Sequence, residues 1–191
     1  MNGYKAVFLD RDGTINVEVD FLRRWQDVEL LPQVAAALKM LRQAGYKLVV
    51  ISNQSGLARG IFDESDLAGV QLEIKRKLAD EGAAVDGAYF CPHHPCEGVV
   101  EDLVRVCACR KPEPGLILMA AEEMGLSLPG SFMVGDRKRD IACGQRAGLK
   151  TVLVTTGRHE DDGAVPDWPE QPDYIAADLL QAAQWILRNQ Y

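Results

Sequence analysis

A chain of 191 residues, 47% hydrophobic and 26% charged, has enough material for one good-sized core and little for a second. A net charge of -7 excludes the broad basic surface nucleic acid requires, and no apolar run approaches the roughly 20 residues of a membrane span. The opening MNGYKAVFLD lacks the basic, apolar and small-residue succession of an export signal, so a cytoplasmic enzyme acting on a small molecule, with no nucleic-acid or membrane partner, is the expectation.

Short β-branched or apolar runs alternate with stretches of helical period. A first strand is expected at Ala6–Leu9. Val34, Leu38 and Leu41 then share one helical face, and Gly45 follows as a stop. A second strand is expected at Lys47–Ile51. Leu67, Gln71, Ile74 and Leu78 line the next helix, between Asp63 and Gly82. A strand at Ala88–Phe90 precedes a helix over Leu116–Met124, and a strand at Phe132–Val134 precedes a helix over Arg139–Ala147. Strands at Thr151–Val154 and Tyr174–Ala176 and a helix over Leu179–Leu187 complete the series. Several strands are apolar without alternation, as expected when both faces are covered. The pattern predicts a doubly wound parallel α/β sheet forming a single domain. The stretch Gly157–Pro172, rich in Asp, Glu and Pro, reads as a surface loop.

In such sheets ligands gather at the carboxyl ends of the strands, and three of those ends, with one loop lysine, carry chemistry. The first runs into Asp10-Arg11-Asp12-Gly13-Thr14, where one carboxylate can attack phosphorus and the other can move protons. The second ends at Ser52-Asn53-Gln54-Ser55, whose hydroxyl and amide donors suit phosphate oxygens. The fourth ends at Gly135-Asp136, with Asp140 one helical turn on. Lys111 stands just ahead of a helix. Taken singly, these are an Asp-Gly turn, a polar turn, an acidic helix start and a solvated lysine. Together they cluster carboxylates that only a divalent cation and a fixed ammonium make tolerable. Magnesium, which takes oxygen ligands and keeps some waters, suits that cluster.

The set Asp10-x-Asp12-Gly-Thr14, Ser52, Lys111 and Gly135-Asp136-x-x-x-Asp140 resembles the haloacid dehalogenase (HAD) superfamily over essentially the whole chain. The resemblance implies a HAD-like fold, with Asp10 as nucleophile, Asp12 as general acid and base, and Ser52 and Lys111 on the phosphoryl group. It implies magnesium held by Asp10, Asp136 and the main-chain carbonyl of Asp12, with Asp140 ligating through water or from a second layer. Asp two residues after the nucleophile is the phosphatase and mutase form. Only 41 residues lie between Asp10 and Ser52, and 58 between Ser52 and Lys111, which leaves no room for a separate cap domain.

Four of the five cysteines fall between Cys91 and Cys109, in Cys91-Pro-His93-His94-Pro-Cys96 and Cys107-Ala-Cys109. Such clustering favours metal over disulfides, and Cys91, His93, Cys107 and Cys109 are taken as a structural zinc site in a loop at about 91–109. His94 and Cys96 are surplus to four ligands, and Cys143 is read as a small core residue. The loop runs straight into Arg110 and Lys111. Zinc would fix both cations at the mouth of the site, where Arg110 could meet a second anionic group.

FLDRDGTIN, ISNQSGLARG, CPHHP and CxCRKPxPG are together similar to one subfamily of sugar-bisphosphate phosphatases. That similarity implies substrate contacts from Glu18, Val19, Asp20 and Phe21, from Ser52, Asn53, Gln54 and Ser55, and from Arg110, Lys111 and Arg137. The neighbouring histidinol-phosphate phosphatases carry Asp where Ser55 stands and lack the continuation Leu57-Ala58-Arg59-Gly60. Two-component receiver domains use similar materials, but place the phosphorylated Asp after the third strand. A monomer is expected.

Overall fold

The computed structural model describes residues 3–157 and 165–190. Six strands form one parallel sheet: β1 (Tyr4–Leu9), β2 (Lys47–Asn53), β3 (Gly87–Cys91), β4 (Leu126–Gly135), β5 (Lys150–Val154) and β6 (Tyr174–Ala176). Their spatial order is β3-β2-β1-β4-β5-β6, so the chain winds outward from β1, returns to its other side, and winds outward again. The switch point therefore lies between β1 and β4, the place where such sheets bind ligands.

Alternation along β1 assigns the two faces. Val7 and Leu9 pack with Leu38, Leu41, Val70, Ile74 and Ile186, from α1 (Val34–Gln43), α2 (Glu64–Asp80) and α5 (Leu179–Arg188). Ala6 and Phe8 pack on the opposite face with Leu116, Ile117 and Cys143, from α3 (Gly115–Met124) and α4 (Lys138–Arg146). Helix starts follow capping chemistry. Asp63 accepts from Asp66 N at 2.9 Å while Asp66 returns the bond to Asp63 N at 3.1 Å, and Asp178 accepts from Gln181 N at 2.8 Å. Among the described residues there is no separate cap domain, and no helix is long and apolar enough to cross a membrane.

The largest departure from expectation is β4, which begins at Leu126 rather than Phe132. Its register against β1 jumps from Lys5↔Ser127 to Val7↔Phe132, so Pro129 and Gly130 sit in a bulge. Ser131 closes that bulge. Its hydroxyl accepts from Ala6 N at 2.8 Å and donates to Ser127 O at 2.5 Å. The stretch read as a surface loop is described only in part. Residues 158–164 lie outside the described residues, whereas Val165–Asp167 form a single 3-10 turn that seats Trp168 on Ile141 and Leu153. Trp168 is 4% exposed, so Trp168→Ala is expected to cost about 3 kcal/mol, checked by chemical denaturation of both proteins.

Candidate active site

β1 delivers Asp10 to the switch point, and Asp10 N continues the ladder by donating to Val134 O at 2.9 Å. The chain then folds back on itself. The amides of Ile15 and Asn16 both donate to Arg11 O, and Gly13 N donates to Asn16 O at 2.8 Å. Gly13 takes φ +77°, and a Cβ there would run into the Asp136 carboxylate. β4 delivers Asp136 beside Asp10. At the start of α4, Asp140 Oδ2 accepts from Arg137 N at 2.9 Å, and a Cβ on Gly135 would lie 2.5 Å from Asp140 Cγ. Side chains are thus packed against glycines on both sides of the candidate centre.

Lys111 is not the solvated loop residue its sequence context suggests. Its ammonium is fully buried, 2.8 Å from Asp10 Oδ1, 2.6 Å from Asp140 Oδ1, and donating to Ile51 O at 3.0 Å. Asn53 holds its main chain by a reciprocal pair: Lys111 N donates to Asn53 Oδ1 and Asn53 Nδ2 donates to Lys111 O, each at 3.0 Å. Burial alone would lower the Lys111 ammonium, but Asp10 and Asp140 outweigh it and hold it well above the usual lysine range. Asp10 is itself raised by burial and by Asp140, against the opposing pull of Lys111.

One ammonium does not balance this cluster. Oxygens of Asp10, Asp136 and Asp140 all lie within 4.8 Å of one another, and all three side chains are buried. Burial, then Asp10 and Asp140, push Asp136 up to about 9. Both Asp136 oxygens lack a hydrogen-bond donor among the described residues, with Arg137 Nε no nearer than 3.4 Å. Orphaned hard oxygen donors beside a second carboxylate fit a divalent cation.

Asp12 has a different environment. Arg11, 1% exposed and unremarked at the level of sequence, grips it through Nε at 3.0 Å and Nη2 at 2.8 Å. Asn16 Nδ2 donates to it at 2.9 Å. Gln54 Nε2 donates to it and to Ser52 Oγ, both at 3.0 Å. Burial raises the Asp12 carboxyl, but the Arg11 guanidinium and these donors prevail and hold it below the usual carboxylate value.

The Cys/His loop closes into a compact knot. Sulfur–sulfur separations among Cys91, Cys107 and Cys109 are 3.3–3.6 Å, and His93 Nδ1 is 3.6 Å from Cys91 Sγ and 3.4 Å from Cys109 Sγ. A tetrahedron with metal–sulfur bonds of about 2.3 Å has edges of about 3.7 Å, close to this spacing. Burial and the neighbouring Cys109 push the Cys91 thiol up, so three adjacent thiolates need a cation between them. Cys96 is exposed, and Cys143 is buried as read, its thiol raised to about 12 by burial.

The cleft over this centre measures about 370 Å³. Glu18, Val19, Asp20 and Phe21 line it, as do Ser52, Asn53, Gln54, Ser55, Arg110 and Arg137. Lys111 and Asp136 lie beneath it, in contact with cleft residues Asp10 and Arg137. Glu18 is pushed up to about 7 by burial and by Asp12 and Asp10, with Arg137 Nη2 4.0 Å away in partial compensation. Arg110 donates to His93 O at 3.0 Å and is lowered by burial and by Arg139. Arg11, Arg59, His94 and Arg139 also line the cleft and were not anticipated there. Arg59 was legible only as part of a motif, and His94 only as a ligand left over.

A parallel sheet that sets a carboxylate, a buried lysine and a second acidic pair at its switch point defines a HAD-like hydrolase. A HAD-hydrolase-like family model matches residues 108–182. The D-glycero-beta-D-manno-heptose-1,7-bisphosphate 7-phosphatase of Escherichia coli (strain K12) is 38% identical over 97% of this chain and 95% of its own. That of Pasteurella multocida (strain Pm70) is 43% identical over 95% of this chain and 96% of its own. Among solved structures, D,D-heptose 1.7-bisphosphate phosphatase from B. bronchiseptica, complexed with magnesium and phosphate, superposes with a TM-score of 0.83. It is 36% identical and covers 96% of this chain and 98% of its own. The chain belongs to the D-glycero-beta-D-manno-heptose-1,7-bisphosphate 7-phosphatase family.

Two measurements probe the metal-binding character of these clusters. In metal-free protein Asp136 keeps its proton to about pH 9, whereas the unfolded chain releases it near 3.8, so its contribution to stability falls as pH rises between those values. Asp136→Asn is therefore expected to melt higher than the parent in EDTA at pH 8, by about 2 °C or more, with the gain shrinking toward pH 5. Magnesium is expected to raise the melting temperature of the parent and not that of Asp136→Asn. The parent is expected to carry zinc by elemental analysis of purified protein, and Cys107→Ser to lack it and to melt several degrees lower.

Proposed function

We propose that the chain removes the C7 phosphate of D-glycero-beta-D-manno-heptose 1,7-bisphosphate through an aspartyl-phosphate, on the route to nucleotide-activated heptose. The observation that carries the chemistry is Asp10 at the end of a central strand, held 2.8 Å from a fully buried lysine at the floor of a polar cleft. The names of the relatives carry the substrate.

An Asp10 oxygen attacks phosphorus in line with the C7 oxygen. As the phosphorus–oxygen bond to C7 breaks, Asp12, a carboxylate in the free enzyme that takes up the proton brought in by a substrate phosphate monoanion, gives that proton to the C7 oxygen, and the sugar leaves with the C1 phosphate intact. Asp12, now a carboxylate, takes a proton from the water that attacks the phosphoryl group. Asp10 is released as a carboxylate and inorganic phosphate departs. The Arg11 clamp favours the ionised Asp12 that this second half uses. Ser52 and Lys111 donate to the phosphoryl oxygens. Asp10, Asp136 and the Asp12 carbonyl would hold magnesium, which when bound neutralises the charge of the transferring group.

Glu18, Val19, Asp20, Phe21, Gln54 and Ser55 would shape the sugar site, with Arg110 and Arg137 on substrate phosphate. The Asn53 amide, engaged with the Lys111 backbone, would contribute by positioning. Zinc at Cys91, His93, Cys107 and Cys109 would be structural. Its thiols, free of disulfides, suit a cytoplasmic enzyme.

The test is phosphate release from heptose 1,7-bisphosphate and from histidinol phosphate, each with magnesium and with EDTA. The expected result is a magnesium-dependent preference for the bisphosphate with loss of the C7 phosphate alone, and no turnover by Asp10→Asn in protein that remains folded by circular dichroism. Preference for histidinol phosphate would overturn the substrate, and near-normal activity of Asp10→Asn would overturn the nucleophile.

A further inference from the structure

Two residues that line the cleft, Arg59 and His94, take no part in the chemistry above. The His94 main chain is pinned on both sides, its N–H donating to Leu103 O at 3.1 Å and its carbonyl accepting from Arg105 N at 2.9 Å. The ring is oriented as well: Nδ1 accepts from the Glu97 amide at 2.8 Å and from the Cys96 amide at 3.4 Å. A ring nitrogen that accepts from an amide carries no proton, so the imidazole proton lies on Nε2. That N–H faces Arg59 Nη2 at 3.3 Å, and a guanidinium can only donate. Two donors at this distance do not satisfy each other. They are satisfied by an acceptor that both can reach.

Other features say what kind of acceptor fits. Arg59 Nε is buried with no partner among the described residues. The guanidinium is held over the Phe21 ring, 5.7 Å from its centroid, which ties it to the Glu18–Phe21 wall of the cleft. Its carboxylate partner among the described residues, Glu97 at 2.7 Å, is 60% exposed, so that contact is screened by water and readily exchanged. Arg110, in the same cleft, is steadied by the carbonyl of His93, the residue next to His94. Two guanidiniums and an imidazole N–H lining one cleft match an oxyanion with several acceptors, above all a phosphate.

We propose that Arg59 and the Nε2–H of His94 complete, with Arg110, a pocket for the substrate phosphate that is not hydrolysed, and thereby select a bisphosphate over a monophosphate. This rests on the bisphosphate reading above. His94, left over by the metal site, is on this account a specificity-determining residue, its donor aimed by the backbone of the loop that the metal ties.

The experiment compares kcat/KM for heptose 1,7-bisphosphate and for heptose 7-phosphate in the parent, His94→Ala, His94→Gln and Arg59→Met, with zinc content and melting temperature measured on each. The ratio of the two kcat/KM values is expected to fall about tenfold to a hundredfold in His94→Ala and in Arg59→Met, the loss of one hydrogen bond to a charged group, with most of the change in KM. His94→Gln, which returns an N–H near the Nε2 position, is expected to recover most of that ratio. An unchanged ratio in both His94→Ala and Arg59→Met, at full zinc content, would overturn the proposal. So would His94→Gln as impaired as His94→Ala. A parent enzyme that shows no preference for the bisphosphate would defeat the bisphosphate reading itself, and this inference with it.

Discussion

Everything at this site depends on one buried ammonium. Lys111 Nζ sits between Asp10 and Asp140 with no exposure to water, and its third contact is a backbone carbonyl at the end of β2. Placing carboxylates side by side in a buried setting is unfavourable unless their charge is met in place. Lys111 meets part of it and leaves the remainder on Asp136, whose two oxygens point at no donor. The same arrangement that makes the folded chain electrostatically incomplete is what gives a cation, and then a phosphoryl group, a reason to bind. Stability and chemistry draw on the same few ångströms.

The lysine in turn depends on two supports of different kinds. Asn53 clasps its backbone through both amide atoms, tying the loop before α3 to the end of β2. The Cys/His knot closes two residues upstream, at Cys109, and anchors the same segment to β3 through Cys91. A loop with little apolar content is thus ordered by side-chain chemistry where a hydrophobic core is lacking, and the cations that follow it inherit that order.

Much of this was legible in the sequence. Apolar runs located the six strands and glycine stops the ends of α1 to α4, because strands covered on both faces are continuously apolar and helices end where φ turns positive. The acidic pair at Asp10 and Asp12 and the pair at Asp136 and Asp140 stood out because they sit at strand ends. What was not legible depended on contacts distant in the chain. The first half of β4 was hidden because Pro129 and Gly130 argue against a strand, and only Ser131, reaching Ala6, makes the bulge tolerable. Arg11 looked like a spacer between two aspartates, since sequence does not say that an arginine will be buried. Trp168 looked like part of a polar loop until its partners on α4 and β5 were known. His94 was set aside by counting ligands, when what distinguishes it is the orientation of its ring.

The pairing of β1 with β4 has a further consequence. Leu9 is in register with Val134, so the points from which Asp10 and Asp136 hang are set by backbone bonds between neighbouring strands, whose spacing of about 4.8 Å hardly varies among sheets. The separation of the two backbones that carry these carboxylates is therefore set by the ladder, while Lys111 and its supports set where the side chains rest. The walls of the cleft, by contrast, are loops: residues 18–21, the turn after β2 and the Cys/His segment. Such a molecule can be rewritten for another phosphate ester by exchanging loops, while the distance between its two aspartates is inherited untouched.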